Sequence, residues 1–219
     1  MNRFGIAALT IVGLFAVYKL SYPTYSYRYR MTINVEVDGQ LHSGSSVIEV
    51  HVSKQVRILH DVNPLKFSGE GEAVYLDLGR RGRLVALLAS GEYANDKEFP
   101  LYLVHRLHFK LDLFDDRKLA SLPTLRGKWE LPNNELPTLV SVTDANNSAT
   151  LSVVRPDQLD QTFGPGVRWR GVTIEMTTDP VTHGLEGKLP FLVSQKNVLR
   201  NAHQHPKKYI PGYLAFIRT

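Results

Sequence analysis

The chain contains no cysteine. That absence removes disulfides, thiolate metal ligands, a cysteine nucleophile and a lipid-modified N-terminal cysteine. It leaves the redox compartment open, because a reducing cytosol and a disulfide-free envelope protein both permit it. No repeat of fixed period and no low-complexity tract occurs. A phosphate-binding glycine loop is missing, since Gly184-Leu-Glu-Gly187-Lys188 has neither the spacing nor the hydroxyl residue after lysine. There is no Gly-x-Ser-x-Gly elbow; Ser43-Gly44-Ser45-Ser46 lies beside a hairpin strand and not between a strand and a helix. Acidic residues are absent from Gly187 to Thr219, where Lys188, Lys196, Arg200, Lys207, Lys208 and Arg218 all fall. The net charge of +5 therefore belongs to the C-terminal end. Such an end binds anionic lipid, nucleic acid or an acidic partner, or is a solvated tail. A hydrophobic content of 43% against 21% charged residues indicates a folded chain, long enough for one ordinary domain plus an anchor.

Phe4 to Tyr18 carries neither charge nor proline, and Lys19 is the single charge before Tyr22. These roughly 19 residues span about 28 Å at ~1.5 Å each, close to a hydrocarbon core of ~30 Å. Pro23 stops the helix. Tyr18 and Tyr22 suit an interfacial belt, and the Lys19 stem can snorkel to the head groups. Bulky residues follow Ala16, so signal cleavage is not expected and the segment is read as a retained anchor. Lys19, Arg28 and Arg30 after the helix, against Arg3 before it, favour a cytoplasmic domain by charge count. A short N-terminal signal-anchor more usually exports the domain behind it. The reading adopted is a single-pass protein of the bacterial inner membrane with a periplasmic domain.

The next stretch alternates from Tyr25 to Val37, with odd positions apolar and even positions polar, which predicts a long strand with one buried face. Asp38-Gly39 is a type I′ hairpin signal, and Ile48, Val50 and Val52 are expected to point inward on the return strand. A second hairpin is expected across Gly79–Gly82, and the unbroken run Leu84–Ala89 predicts a strand buried on both faces. Leu101 to Phe114 fits a helix or a buried strand. Asp115 to Glu135 reads as an irregular connector. A third hairpin flanks Asp144–Ser148, and Pro156 to Phe163 predicts a short helix closed by Gly164. In the following strand Val167 and Trp169 occupy one phase, Val172, Ile174 and Met176 the other. The slip at Arg170-Gly171 predicts a β-bulge. The fold class expected is mainly β (α+β): antiparallel β-hairpins with a few short helices, plus one N-terminal transmembrane helix. The expected division is an anchor over 1–23, a β-rich domain over 24–192 and a basic tail over 193–219, which could add an edge strand or bind a surface.

Chemistry-bearing residues are sparse. His203 and His205 are two apart and an extended backbone projects both to one side; His105 and His108 are three apart and a helix places both on one face. Either pair could supply half of a zinc or nickel site, but neither has a third ligand in a recognised spacing. No metal and no cofactor is expected. Asp144, Asn146 and Asn147 resemble a calcium loop only in composition and suit Asx turns. Arg168, Trp169 and Arg170 could stack on bases or sugars, or simply form a strand with an inward ring and two outward cations.

Four stretches carry a resemblance: YRYRMTINVEVDG from Tyr27, SGSSVIEV from Ser43, GEAVYLDLG from Gly71, and the block Leu139 to Leu192 with its FGPGVR and TDPVT segments. In order and spacing they are similar to a group of N-terminally anchored proteobacterial proteins with no assigned activity. The resemblance covers about half the chain. It implies a domain type and a bacterial source, and carries over no catalytic residue. The function expected is an envelope binding or scaffold module, with membrane lipid and another envelope protein as partners. Two alternatives stay open. One is a hydrolase or metal-dependent enzyme assembled from distant histidines and acids. The other is anionic-ligand binding through Lys196, Arg200, Lys207 and Lys208, for which nucleic acid is the less favoured ligand.

Overall fold

The computed structural model describes residues 12–13, 21–55, 64–109, 115–199 and 213–218, with backbone alone at 196–199 and 213–214. Of the expected anchor over 1–23, only Val12, Gly13, Ser21, Tyr22 and Pro23 are among them; Tyr18 and Lys19 lie outside the described residues. Among the described residues no helix is long and apolar enough to cross a membrane.

After Pro23 the chain enters β1 (Thr24–Val37), which pairs antiparallel with β2 (Gln40–Lys54). The expected alternation holds: Tyr27, Tyr29, Met31, Ile33 and Val35 are buried, and the even positions between them are half-exposed. Each such burial contributes about 1.5–3 kcal/mol, and a one-residue slip would turn the whole set to solvent. Asp38 and Gly39 both take positive φ, 52° and 84°, as a type I′ turn requires.

The hairpin is the centre of the larger of two antiparallel sheets. The larger has the order β10-β3-β2-β1-β9-β6, with β3 at Leu65–Glu72, β6 at Lys128–Glu130, β9 at Val167–Thr177 and β10 at Ile217–Arg218. The smaller has the order β4-β5-β7-β8, built from Val74–Asp77, Arg83–Ser90, Pro137–Val142 and Leu151–Val154. Their facing sides share the main apolar core. As the run Leu84–Ala89 predicts, β5 is buried on both faces. Leu84, Ala86 and Leu88 enter the main core, and Val85, Leu87 and Ala89 enter a second core behind the small sheet.

Of the ambiguous stretch Leu101 to Phe114, the part up to Phe109 is a helix, α1 (Phe99–Phe109), and 110–114 lie outside the described residues. Tertiary contacts decide this: the buried Tyr29 hydroxyl donates to the Pro100 carbonyl at 2.8 Å and Tyr27 to Leu101 at 3.3 Å. The expected irregular connector is more ordered than its prolines suggest. It holds α2 (Asp116–Ser121), capped by the Asp115 carboxylate accepting from Arg117 N at 2.9 Å, and the edge strand β6. Pro156–Phe163 forms a 3-10 turn running into α3 (Leu159–Phe163), as the sequence predicts.

Beyond β9 the chain straps across the polar face of the large sheet. Asp179 pairs with Arg30, and Thr182 exchanges hydrogen bonds with Val47 at 2.8 and 3.1 Å. Val47 is thereby buried although it lies on the outer phase of β2. The strap ends where the buried Glu72 carboxylate accepts from Gly184 N at 3.0 Å and Leu185 N at 2.8 Å, opening α4 (Leu185–Lys188). Next come α5 (Phe191–Leu199) and, after the undescribed 200–212, α6 (Tyr213–Phe216). Leu189, Phe191, Leu192, Ala215 and Phe216 are buried in the second core. Within 193–219, then, residues 215–217 form part of the interior, and β10 adds the edge strand that the sequence left open.

Candidate functional site

The predicted bulge is present. Asn34 of β1 faces Gly171, and Val35 faces Trp169, so Arg170 is the extra residue. Gly171 takes φ 105°, a conformation that side chains with a Cβ rarely adopt, and a Cβ built there meets nothing within 4 Å. The bulge therefore leaves bare backbone at the surface and swings Arg170 outward onto Glu36, with Arg170 Nε 2.9 Å from the carboxylate.

Around this bulge lies a groove made of three adjoining cavities that all use Trp169. The largest, about 610 Å³, is lined by Asn34, Gly171, Thr173, Glu130 and the turn through Asn133. A second of about 390 Å³ shares Asn133 and adds Leu136, Arg155 and Asp157. A third of about 310 Å³ shares Asp157 and adds Asp160, Gly166 and Arg168. Their sizes fall in the range of small-ligand sites. Trp169 sits on the inward phase with Val167, half-buried against the main core. Its indole N–H is shielded from solvent and finds no acceptor among the described residues. Such a buried, unsatisfied donor costs about 1–3 kcal/mol.

The groove carries both signs of charge, mostly cancelled locally. Arg170 pairs with Glu36, and Arg155 with Asp157 at 3.2 Å. The loop wall is fixed by Leu131 N donating to the Val172 carbonyl at 2.9 Å and by the turn bond from Glu135 N to Pro132 O at 2.9 Å. Asn34 is oriented by accepting from the Ser43 hydroxyl at 2.7 Å.

No family model, curated protein or solved structure matches the chain. Function therefore has to come from the chemistry of the sites themselves.

The remaining candidates separate in space. His105 is fully buried among the rings of Tyr27, Phe67 and Phe109, and neither ring nitrogen has a partner among the described residues. Desolvation pushes its pKa down to about 4. His108 is exposed and packs edge-on against Phe109 and Trp129. Among the described residues no group of three His, Asp or Glu is placed to hold a metal ion. His203, His205, Arg200, Lys207 and Lys208 lie outside the described residues, as does the Lys196 side chain. Asp144 and Asn147 make Asx turns, accepting from Asn146 N at 2.9 Å and Ala149 N at 3.0 Å. Tyr22 lines a separate cavity of about 480 Å³ at the other end of β1, together with Lys54 and Asp116. That cavity adjoins Gln55 and Pro64, which flank the undescribed 56–63.

Sequence reasoning found Trp169, its flanking arginines and the bulge. It missed Asn34, Glu130, Asn133 and Arg155–Asp157, which come from separate parts of the chain and carry no local signal.

Proposed function

We propose that the protein is a membrane-tethered binding module of a bacterial envelope, with its ligand site in the groove around Trp169. The observation that carries this reading is the joining of three cavities at one aromatic residue, beside a bulge that exposes bare backbone. Bulges concentrate next to functional sites because they re-aim side chains and end regular pairing. The tether enters through the Phe4–Tyr22 run, which has the length and composition of a membrane span. Thr24, at the anchor side, and Val35, opposite Trp169, are about 11 residues apart on one straight strand, or ~36 Å at ~3.3 Å per residue. On this reading the groove lies at the end of β1 remote from the tether, as suits a module that captures something in the envelope space.

The chain has two tryptophans, Trp129 and Trp169. In a full-length Trp129→Phe variant, Trp169 alone reports on the groove. An envelope extract is separated into lipid, peptide and glycan fractions and titrated against this variant. One fraction is expected to shift the emission saturably, and the shift should weaken in Asn133→Ala. An unchanged emission with every fraction would overturn the binding reading.

A further inference from the structure

We infer that the ligand of the Trp169 groove is a neutral oligosaccharide; this rests on the groove being a binding site and adds its ligand class. Charge is the first argument. The Arg170–Glu36 and Arg155–Asp157 pairs leave the lining nearly balanced, so a strongly charged ligand meets repulsion along with every attraction. A nucleic acid needs a surplus of unpaired cations along its phosphates, and the groove does not supply one.

Polarity is the second. An acyl chain requires continuous apolar walls, whereas the largest cavity is mainly polar, with Asn34, Glu130, Asn133 and Arg170, and the apolar surface of Leu136 and Pro156 is confined to the second cavity beside Arg155 and Asp157. A sugar ring matches that mixture. Its C–H face packs on an aromatic ring, and its rim hydroxyls each donate and accept, so they bridge planar groups such as Asn34, Glu130 and Asn133.

Shape is the third. The three cavities run in series through shared residues, Asn133 between the first pair and Asp157 between the second. A chain of sugar units fits a series of subsites better than a single compact molecule does. The main rival is an extended peptide added to the outer edge of β6. That strand has only three residues, and Pro132 lies closely behind it, which leaves little edge for pairing.

The test uses the full-length Trp129→Phe chain in a detergent without a sugar head group. Trimers of β-linked glucose, α-linked glucose and β-linked N-acetylglucosamine are titrated, with trilysine and triglutamate as charged peptide controls. At least one oligosaccharide should shift Trp169 emission saturably. Its Kd should change by less than about twofold between about 0.1 and 1 M salt, because no net charge is paired on binding. Asn133→Ala, in an exposed turn, should weaken that response, and Trp169→Phe, whose binding is followed by calorimetry because no tryptophan remains, should lose about tenfold in affinity, with thermal melts confirming that both variants fold. Saturable binding of a peptide and of no oligosaccharide would overturn the glycan assignment and leave the groove as a binding site. Silence with every trimer, alongside a response to the glycan fraction of the envelope extract, would also reject neutral sugars of these linkages. Silence in both experiments removes the groove itself.

Discussion

His105 is buried among aromatic rings with neither nitrogen bonded among the described residues, so it takes up a proton only at a cost. Its pKa falls from an ordinary 6.5 to about 4 in the fold. The unfolded chain therefore binds more protons than the native one between these values. Stability from this residue is complete above pH ~6.5, declines as pH falls, and levels out below about 4, for a total loss on the order of 3 kcal/mol. Urea midpoints taken from pH 7 to pH 4 should track that slope. His105→Leu should flatten it by about one proton and hold stability near or above the parent at pH 7, because two unsatisfied nitrogens disappear. An unchanged acid slope in the variant would show that the proton is taken up elsewhere. The same burial logic makes His105 a poor metal ligand, and its partner in spacing, His108, is exposed.

At the scale of elements, β9 depends on one backbone conformation. Replacing Gly171 by alanine places a Cβ at φ 105°, and the open space around it means that strain alone is felt. The expected cost is about 1–3 kcal/mol in thermal or denaturant unfolding. A cost near zero would mean that the bulge re-forms elsewhere along Trp169–Val172. The C-terminal elements give a second case. Phe216 is fully buried against Phe191 with ring centroids 5.7 Å apart, and its carbonyl accepts from Ala73 N at 2.7 Å. Phe216→Ala should cost about 3–5 kcal/mol in denaturant unfolding. Deleting 193–219 would therefore remove core as well as charge, so loss of lipid binding in such a truncation would not identify a basic binding tail. Charge reversal at Lys207 and Lys208 tests that idea without touching Phe216.

Across the whole molecule, the layers divide the work. The large sheet sets length and stiffness, the small sheet closes the core, and the C-terminal segments cover the small sheet from behind. The strap over Val47, anchored at Glu72, links these layers without adding a strand to either sheet. Cavities are left at the two ends of β1, one beside Tyr22 and one beside Trp169.

The local features were legible in the residues alone. Alternation from Tyr25 to Val37, the Asp38-Gly39 turn, the double burial of Leu84–Ala89 and the slip at Gly171 each come from a period of two or from a required φ. Such rules act over a few residues and need no partner. The helix at Phe99–Phe109, the edge strand β6, the buried end at Phe216 and the groove itself came only from packing. In each case the deciding contacts join segments far apart in sequence: Tyr29 with Pro100, Trp129 with Ile174, Ala73 with Phe216, and Asn34 with Glu130 and Trp169. A cavity is the space left between elements, and its lining is fixed by how the layers meet rather than by any single stretch of chain.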